Sequence, residues 1–241
     1  MDIKNLLDYR NIGLWEYLNS ICDIAINAAD DGCFRVYSKN NSYTVYVPDC
    51  PSIPSFTHEL LHILLMSKSI RIGNTISLIV REKPFLSNVL PESIIDHISN
   101  CLSHLKMLPL FVKMGFDNSE FLDDYHVDKL NGAALIDLKR NFKKRTFLGK
   151  QYYQRIYVVL FIGKYFAART CPNSIFDYAK GLGELKDIDR QLYNAADSLM
   201  SKWDSFDIEQ LDDSLVSSSY YEMQFEFAED IENWLKNKRI K

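Results

Sequence analysis

No two of the five cysteines form a Cys-x-x-Cys pair, and Cys22, Cys33, Cys50, Cys101 and Cys171 are scattered and odd in number. A disulfide framework is therefore not expected, and reduced thiols in a cytoplasmic protein are. Basic charge is not in excess. Lys and Arg total 28 against 32 Asp and Glu, for a formal net charge of −4, so nucleic acid is not expected as a bulk electrostatic partner. Long hydrophobic runs are missing too. The stretch Ile156 to Ile162 lies between Arg155 and Lys164 and is too short to span a bilayer. Near the start, Met1 to Asp8 contains no continuous apolar segment of the kind a secretion signal needs. No membrane partner is expected from these features. Internal repeats and low-complexity tracts are also absent.

There is ample material for a core. Hydrophobic residues make up 47% of the 241 residues and aromatics 13%, enough for one large domain or two small ones. The periodicity predicts a mainly α chain with a small β-hairpin or sheet, an α+β arrangement. Leu14, Trp15, Leu18, Ile21, Cys22, Ala25 and Ala29 fall at helical spacing, so residues 13 to 29 read as a helix ended by Asp30-Asp31-Gly32. Residues 33 to 47 then alternate and read as a hairpin turning at Lys39 to Ser42. Residues 70 to 90 suit either a helix or a short strand. Pro91 opens a strong helix from Glu92 to Lys113, bent at Pro109 and stopped by Gly115.

Beyond residue 119 the pattern is helical, with candidate helices at 126–144, 150–169, 173–180, 184–203 and 218–238. The cluster from Lys139 to Arg145 reads as a solvated helix end in preference to a phosphate or nucleic-acid patch, and Ser205 to Ser219 as an acidic, serine-rich loop or short mobile helix. The expected division is a metal-binding part over residues 1–125 and a helical part over 126–241, packed as one unit.

Histidine is scarce, with only five in the chain, yet two of them form His58-Glu59-Leu60-Leu61-His62. On a helix, positions i and i+4 share a face, so both imidazoles can reach one Zn²⁺. Glu59 is offset by about 100° and can face the open side of the metal, where it would take a proton from the zinc-activated water and pass it to a leaving group. Pro54 suits the first turn, and Ser55 or Thr57 can cap it. Ile63, Leu64, Leu65 and Met66 make this helix apolar nearly all round, hence buried, and buried imidazoles need partners.

A catalytic zinc needs a third protein ligand. The metzincin continuation is excluded, because Leu65 and Lys68 stand where Gly and His are required. The helix from Glu92 is the source to expect, and two registers compete on it. In one, Glu92 is the ligand and Asp96 supports it. In the other, His104 is the ligand and Asn100 supports it. His104 is preferred, since it lies deep in the apolar stretch Leu102 to Phe111, whereas an acid in a first turn is explained by the helix dipole alone. His97 reads as a rim residue. His126, after Asp123-Asp124-Tyr125, is a candidate for a supporting role.

His58-Glu59-Leu60-Leu61-His62 resembles the motif of the zincin metallopeptidases. Together with Asn100-x-x-x-His104, Met107-Leu108-Pro109 and Gly115-Phe116-Asp117, it looks like that of uncharacterised bacterial HExxH proteins of this size. The likeness covers residues 43 to 124 and implies zinc ligation by His58 and His62, with Glu59 as general base. The expected activity is that of a zinc-dependent hydrolase, foremost a metallopeptidase acting on peptide or protein. Two alternatives stand beside it: a non-catalytic scaffold with a structural zinc that serves as an interaction protein, and a zinc amidase with a small-molecule or cell-wall substrate.

Overall fold

The computed structural model describes residues 3–210, 214–236 and 238–241. These residues form nine α-helices, one three-stranded sheet and one two-stranded sheet, so the chain is mainly α with a small β component. In chain order, α1 (Ile12–Ile21) leads into β1 (Asp23–Ala28), β2 (Arg35–Lys39) and β3 (Ser42–Val47). Next come α2 (Ile53–Ser67), α3 (Ile72–Glu82) and α4 (Glu92–Lys113), followed by α5 (Gly132–Asn141). A short hairpin of β4 (Lys143–Arg145) and β5 (Gln151–Tyr153) precedes α6 (Arg155–Arg169), α7 (Ala179–Ile188), α8 (Arg190–Ser205) and α9 (Ser214–Leu235). Two compact units arise. The first comprises Met1–Arg71 and Ser103–Val127, and the second Ile72–Leu102 and Asp128–Lys241. Ile72–Leu102 thus groups with the later helices, across the expected division of 1–125 and 126–241.

In the first unit β3 is central, parallel to β1 and antiparallel to β2. Its side chains alternate, and Tyr43, Val45 and Val47 are buried on one face. Phe56, Leu60 and Ile63 of α2 join that same core. Three such side chains withdrawn from water contribute about 1.5–3 kcal/mol each, which fixes the rotation of α2 about its axis. Positions 58 and 62 then fall on another face of the helix.

Ser52 caps α2, its hydroxyl accepting from the Ser55 amide at 3.1 Å. The expected caps, Ser55 and Thr57, lie inside the helix. Thr57 is fully buried and its hydroxyl donates to the Ile53 carbonyl at 2.8 Å. Asn11, also fully buried, donates from its side-chain amide to Thr57 Oγ1 at 2.9 Å and to the Leu6 carbonyl at 2.9 Å, and its Oδ1 accepts from the Asp8 amide at 2.9 Å.

The expected helix over 13 to 29 is corrected to a helix followed by a strand. Asp23-Ile24-Ala25-Ile26 alternates in exposure, and Ile24 and Ile26 pair with Tyr43 and Val45. The short alternating run is satisfied by the neighbouring strand, which outweighs helical propensity.

The second unit is built on aromatic and aliphatic helix faces. Phe142, Phe161 and Trp234 are buried together, with ring centroids 5.4 Å apart for Phe142–Phe161 and 6.5 Å for Phe142–Trp234. Trp203 Nε1 donates to the Leu102 carbonyl at 2.7 Å, and Trp234 Nε1 donates to Asp189 Oδ1 at 3.1 Å. Asp189 also caps α8, so the single helix expected to begin at 184 is instead broken there. The expected helix over 126–144 shrinks to Gly132–Asn141, and the basic run beyond it enters β4 rather than ending in solvent as a helix terminus. Within the stretch 205–219, residues 211–213 lie outside the described residues; Ile208–Gln210 forms a 3-10 turn and α9 begins at Ser214. All five cysteines are free thiols.

Candidate metal centre

Two imidazoles on α2 face each other, with His58 Nε2 3.1 Å from His62 Nε2. This is the separation expected of two donors on one ion, because bonds of about 2.0–2.1 Å in a tetrahedral arrangement place ligand nitrogens about 3.3 Å apart. The third imidazole comes from α4. His104 lies with its ring centroid 4.8 Å from that of His58 and 5.5 Å from that of His62. One ligand nitrogen from each of the three rings can be chosen so that all lie within 4.8 Å of one another. The three histidines are therefore close enough to bind one metal ion.

The electrostatics suit that use. Burial first, and the neighbouring His58 second, lower the His62 pKa to about 3. Burial likewise lowers that of His58 to about 4, partly opposed by the Phe121 backbone. Although that backbone is near enough to act on the ring, His58 Nδ1 is buried without a hydrogen bond of ordinary geometry. Both rings are thus neutral near pH 7, the form that ligates metals. Two buried imidazole nitrogens turned towards each other cannot both donate, and a cation between them satisfies both lone pairs.

Glu59 projects from the same turn and is mostly buried. Its carboxyl is pushed up to about 7, first by burial and second by the charge of Asp123. A carboxyl so placed changes protonation state near neutrality, which suits a group that takes and returns a proton.

Phe121 closes one side of the cluster. Its ring is 4.7 Å from His58, 5.3 Å from His104 and 5.2 Å from Phe111, centroid to centroid. Asp117 holds the segment that carries it. The Asp117 carboxylate accepts from the Ser119 amide, and Glu120 reaches back to the Asp117 amide. Sequence reasoning missed Phe121. The only available signal was the Asp-x-x-Glu capping pattern just before it, which fixes a turn without saying what the next ring touches.

Of the other candidates, Glu92, Asp96 and Asn100 are exposed on the part of α4 that belongs to the second unit. His97 Nε2 lies 3.1 Å from the Gly163 carbonyl and 3.6 Å from Cys101 Sγ, so it is a structural histidine and not a rim residue. His126 is exposed and packs against Tyr125, with ring centroids 5.0 Å apart. Asp123 acts on Glu59 through its charge. Among the described residues no single helix is long and apolar enough to cross a membrane. Comparison of the chain with family profiles, curated proteins and solved structures finds no match to any of them.

Proposed function

We propose that the chain is a zinc-dependent hydrolase, and within that class a metallopeptidase of the HExxH type. The observation that carries this reading is the convergence of His58, His62 and His104 beside Glu59. Three imidazoles are a donor set that suits zinc and leaves room for a non-protein ligand. A zinc ion held there supplies Lewis acidity, which lowers the pKa of water and polarises an amide carbonyl. Glu59 takes the proton from the attacking water and returns it to the departing amine. His58, His62 and His104 would hold the ion in position through that transfer.

Phe121 favours a second reading, a scaffold that holds zinc without turnover, because its ring packs against two of the three imidazoles. One pair of measurements separates the two. Zinc per chain is determined by elemental analysis, and cleavage of a peptide library is followed for the wild type and Glu59→Gln. The hydrolase reading expects zinc near one per chain in both proteins and a loss of cleavage of about 100- to 10,000-fold in the variant. Zinc-loaded wild type that cleaves nothing leaves the scaffold. A zinc-free chain ends both readings.

A further inference from the structure

Lys139 to Arg145 reads in sequence as a solvated helix end, and no membrane partner is expected. Its last three residues, Lys143–Arg145, form one strand of a hairpin whose tip is apolar. Phe147 is 105% exposed and Leu148 80% exposed. The tip is held in place by hydrogen bonds. The Thr146 amide donates to the Lys150 carbonyl at 2.8 Å, the Gly149 amide donates to the Thr146 carbonyl at 2.9 Å, and the Lys150 amide donates to Thr146 Oγ1 at 3.1 Å. Gly149 closes the turn at φ +76°, a conformation that side chains disfavour. Two large apolar side chains are thus presented to solvent by a tied turn.

Cations flank the hairpin: Arg145 and Lys150 lie next to its tip in sequence, and residues 239–241 lie at its other end, beside Tyr153. No Asp or Glu occurs between Asp137 and Asp177, although the whole chain is acidic at −4. Residues 239–241 lie alongside β5. The Tyr153 amide donates to the Arg239 carbonyl at 2.8 Å, and the Lys241 amide donates to the Tyr153 carbonyl at 3.0 Å. Arg145, Lys150, Arg239 and Lys241 are exposed and Lys144 is half-buried. Among the described residues none of these five makes an ion pair; by contrast, Lys139 pairs with Glu184 and Lys143 with Asp189.

We propose that this hairpin is a membrane-contact element, which dips Phe147 and Leu148 into the interface of an anionic phospholipid bilayer while the flanking cations engage the headgroups. Exposed apolar side chains on a hairpin flanked by Lys and Arg are the pattern that interfacial binding requires. Leu148 distinguishes this partner from nucleic acid. A base stacks on an aromatic face, which Phe147 alone supplies, whereas the bilayer interface rewards both side chains. The inference stands apart from the metal centre and does not depend on it.

The test uses the full chain in co-sedimentation with vesicles of phosphatidylcholine alone and of phosphatidylcholine mixed in equal parts with phosphatidylglycerol. Binding is expected to the mixed vesicles only, and to weaken as salt is raised. Phe147→Ser with Leu148→Ser should reduce it by roughly tenfold or more. Arg145→Glu should weaken it by at least about fivefold, the effect of one surface cation. All three positions are exposed, so both variants should keep the wild-type circular dichroism spectrum. Equal binding to both kinds of vesicle, or unchanged binding by the serine double variant, overturns the proposal. So does retention of a single-stranded DNA oligonucleotide without vesicle binding, which would assign the surface to nucleic acid.

Discussion

His97 and His104 stand about two turns apart on α4 and do different work. His97 is engaged within the second unit by the Gly163 carbonyl and the Cys101 thiol. His104 is surrounded in the first unit by two more imidazoles and a phenyl ring. The difference teaches that a histidine on a helix is defined by its neighbours. A carbonyl oxygen lies against Nε2 of His97, whereas two further imidazoles beside His104 make a donor set close enough to hold a cation.

The sharpest way to break that comparison is to remove each ring in turn. His104→Ala should lower zinc affinity by more than about 100-fold, since even supporting partners of ligands are worth about 10- to 100-fold. His97→Ala should leave affinity unchanged and instead reduce folding stability by about 1–3 kcal/mol, through a hydrogen bond lost beside Gly163. Isothermal titration with zinc and urea unfolding read the two effects separately. Zinc retained by His104→Ala would move the third ligand elsewhere on the chain.

The ring next to His104 can itself be removed, with folding stability as the readout. Phe121→Ala should cost about 3–5 kcal/mol in urea unfolding of the metal-free chain, as for other buried phenyl groups. A loss below about 1 kcal/mol would mean that the imidazoles support one another without it.

The gentlest perturbation is pH. Unfolded imidazoles take up a proton near about 6.5, while His58 and His62 in the fold do so only near about 4 and about 3. The unfolded chain therefore binds more protons in that interval, and the stability of the metal-free protein should rise with pH between about 4 and 6.5. Glu59 runs the other way. With its pKa raised to about 7, it contributes stability that is full below the ordinary carboxyl range and lost as pH rises through 7. Two imidazoles outweigh one carboxyl below about 6.5, so the net slope stays positive. Glu59→Gln should steepen it, as read from urea midpoints across that range. A profile that falls with pH would show that the two imidazoles titrate as free groups, leaving only the Glu59 slope.

The contrast also explains what could be read without coordinates. His58, Glu59 and His62 were legible because helical spacing is local and fixes their mutual placement. His104 could be favoured over Glu92 only by the apolar company it keeps in sequence, and the structure supplies what spacing cannot, a ring beside those of His58 and His62. β1 was illegible because Ala25 and Ala29 extended the helical period of α1, and only its pairing with β3 reveals the alternation of Ile24 and Ile26. The hairpin of β4 and β5 was hidden for another reason: Lys143-Lys144-Arg145 carries none of the β-branched residues that announce a strand. Phe121 had no periodic partner at all.

The buried Asn11 offers a built-in observer of the metal helix. Both of its side-chain amide protons are spoken for, one by Leu6 and one by Thr57, the residue just before His58. Such a group exchanges slowly with solvent and gives a resolved pair of nitrogen-correlated resonances away from the crowded amide region. Any tightening of the first turn of α2 when His58 takes up a ligand is passed through the Thr57 hydroxyl to that pair. A titration followed at Asn11 would thus register occupancy of the site from the far side of the helix, with no label on the histidines.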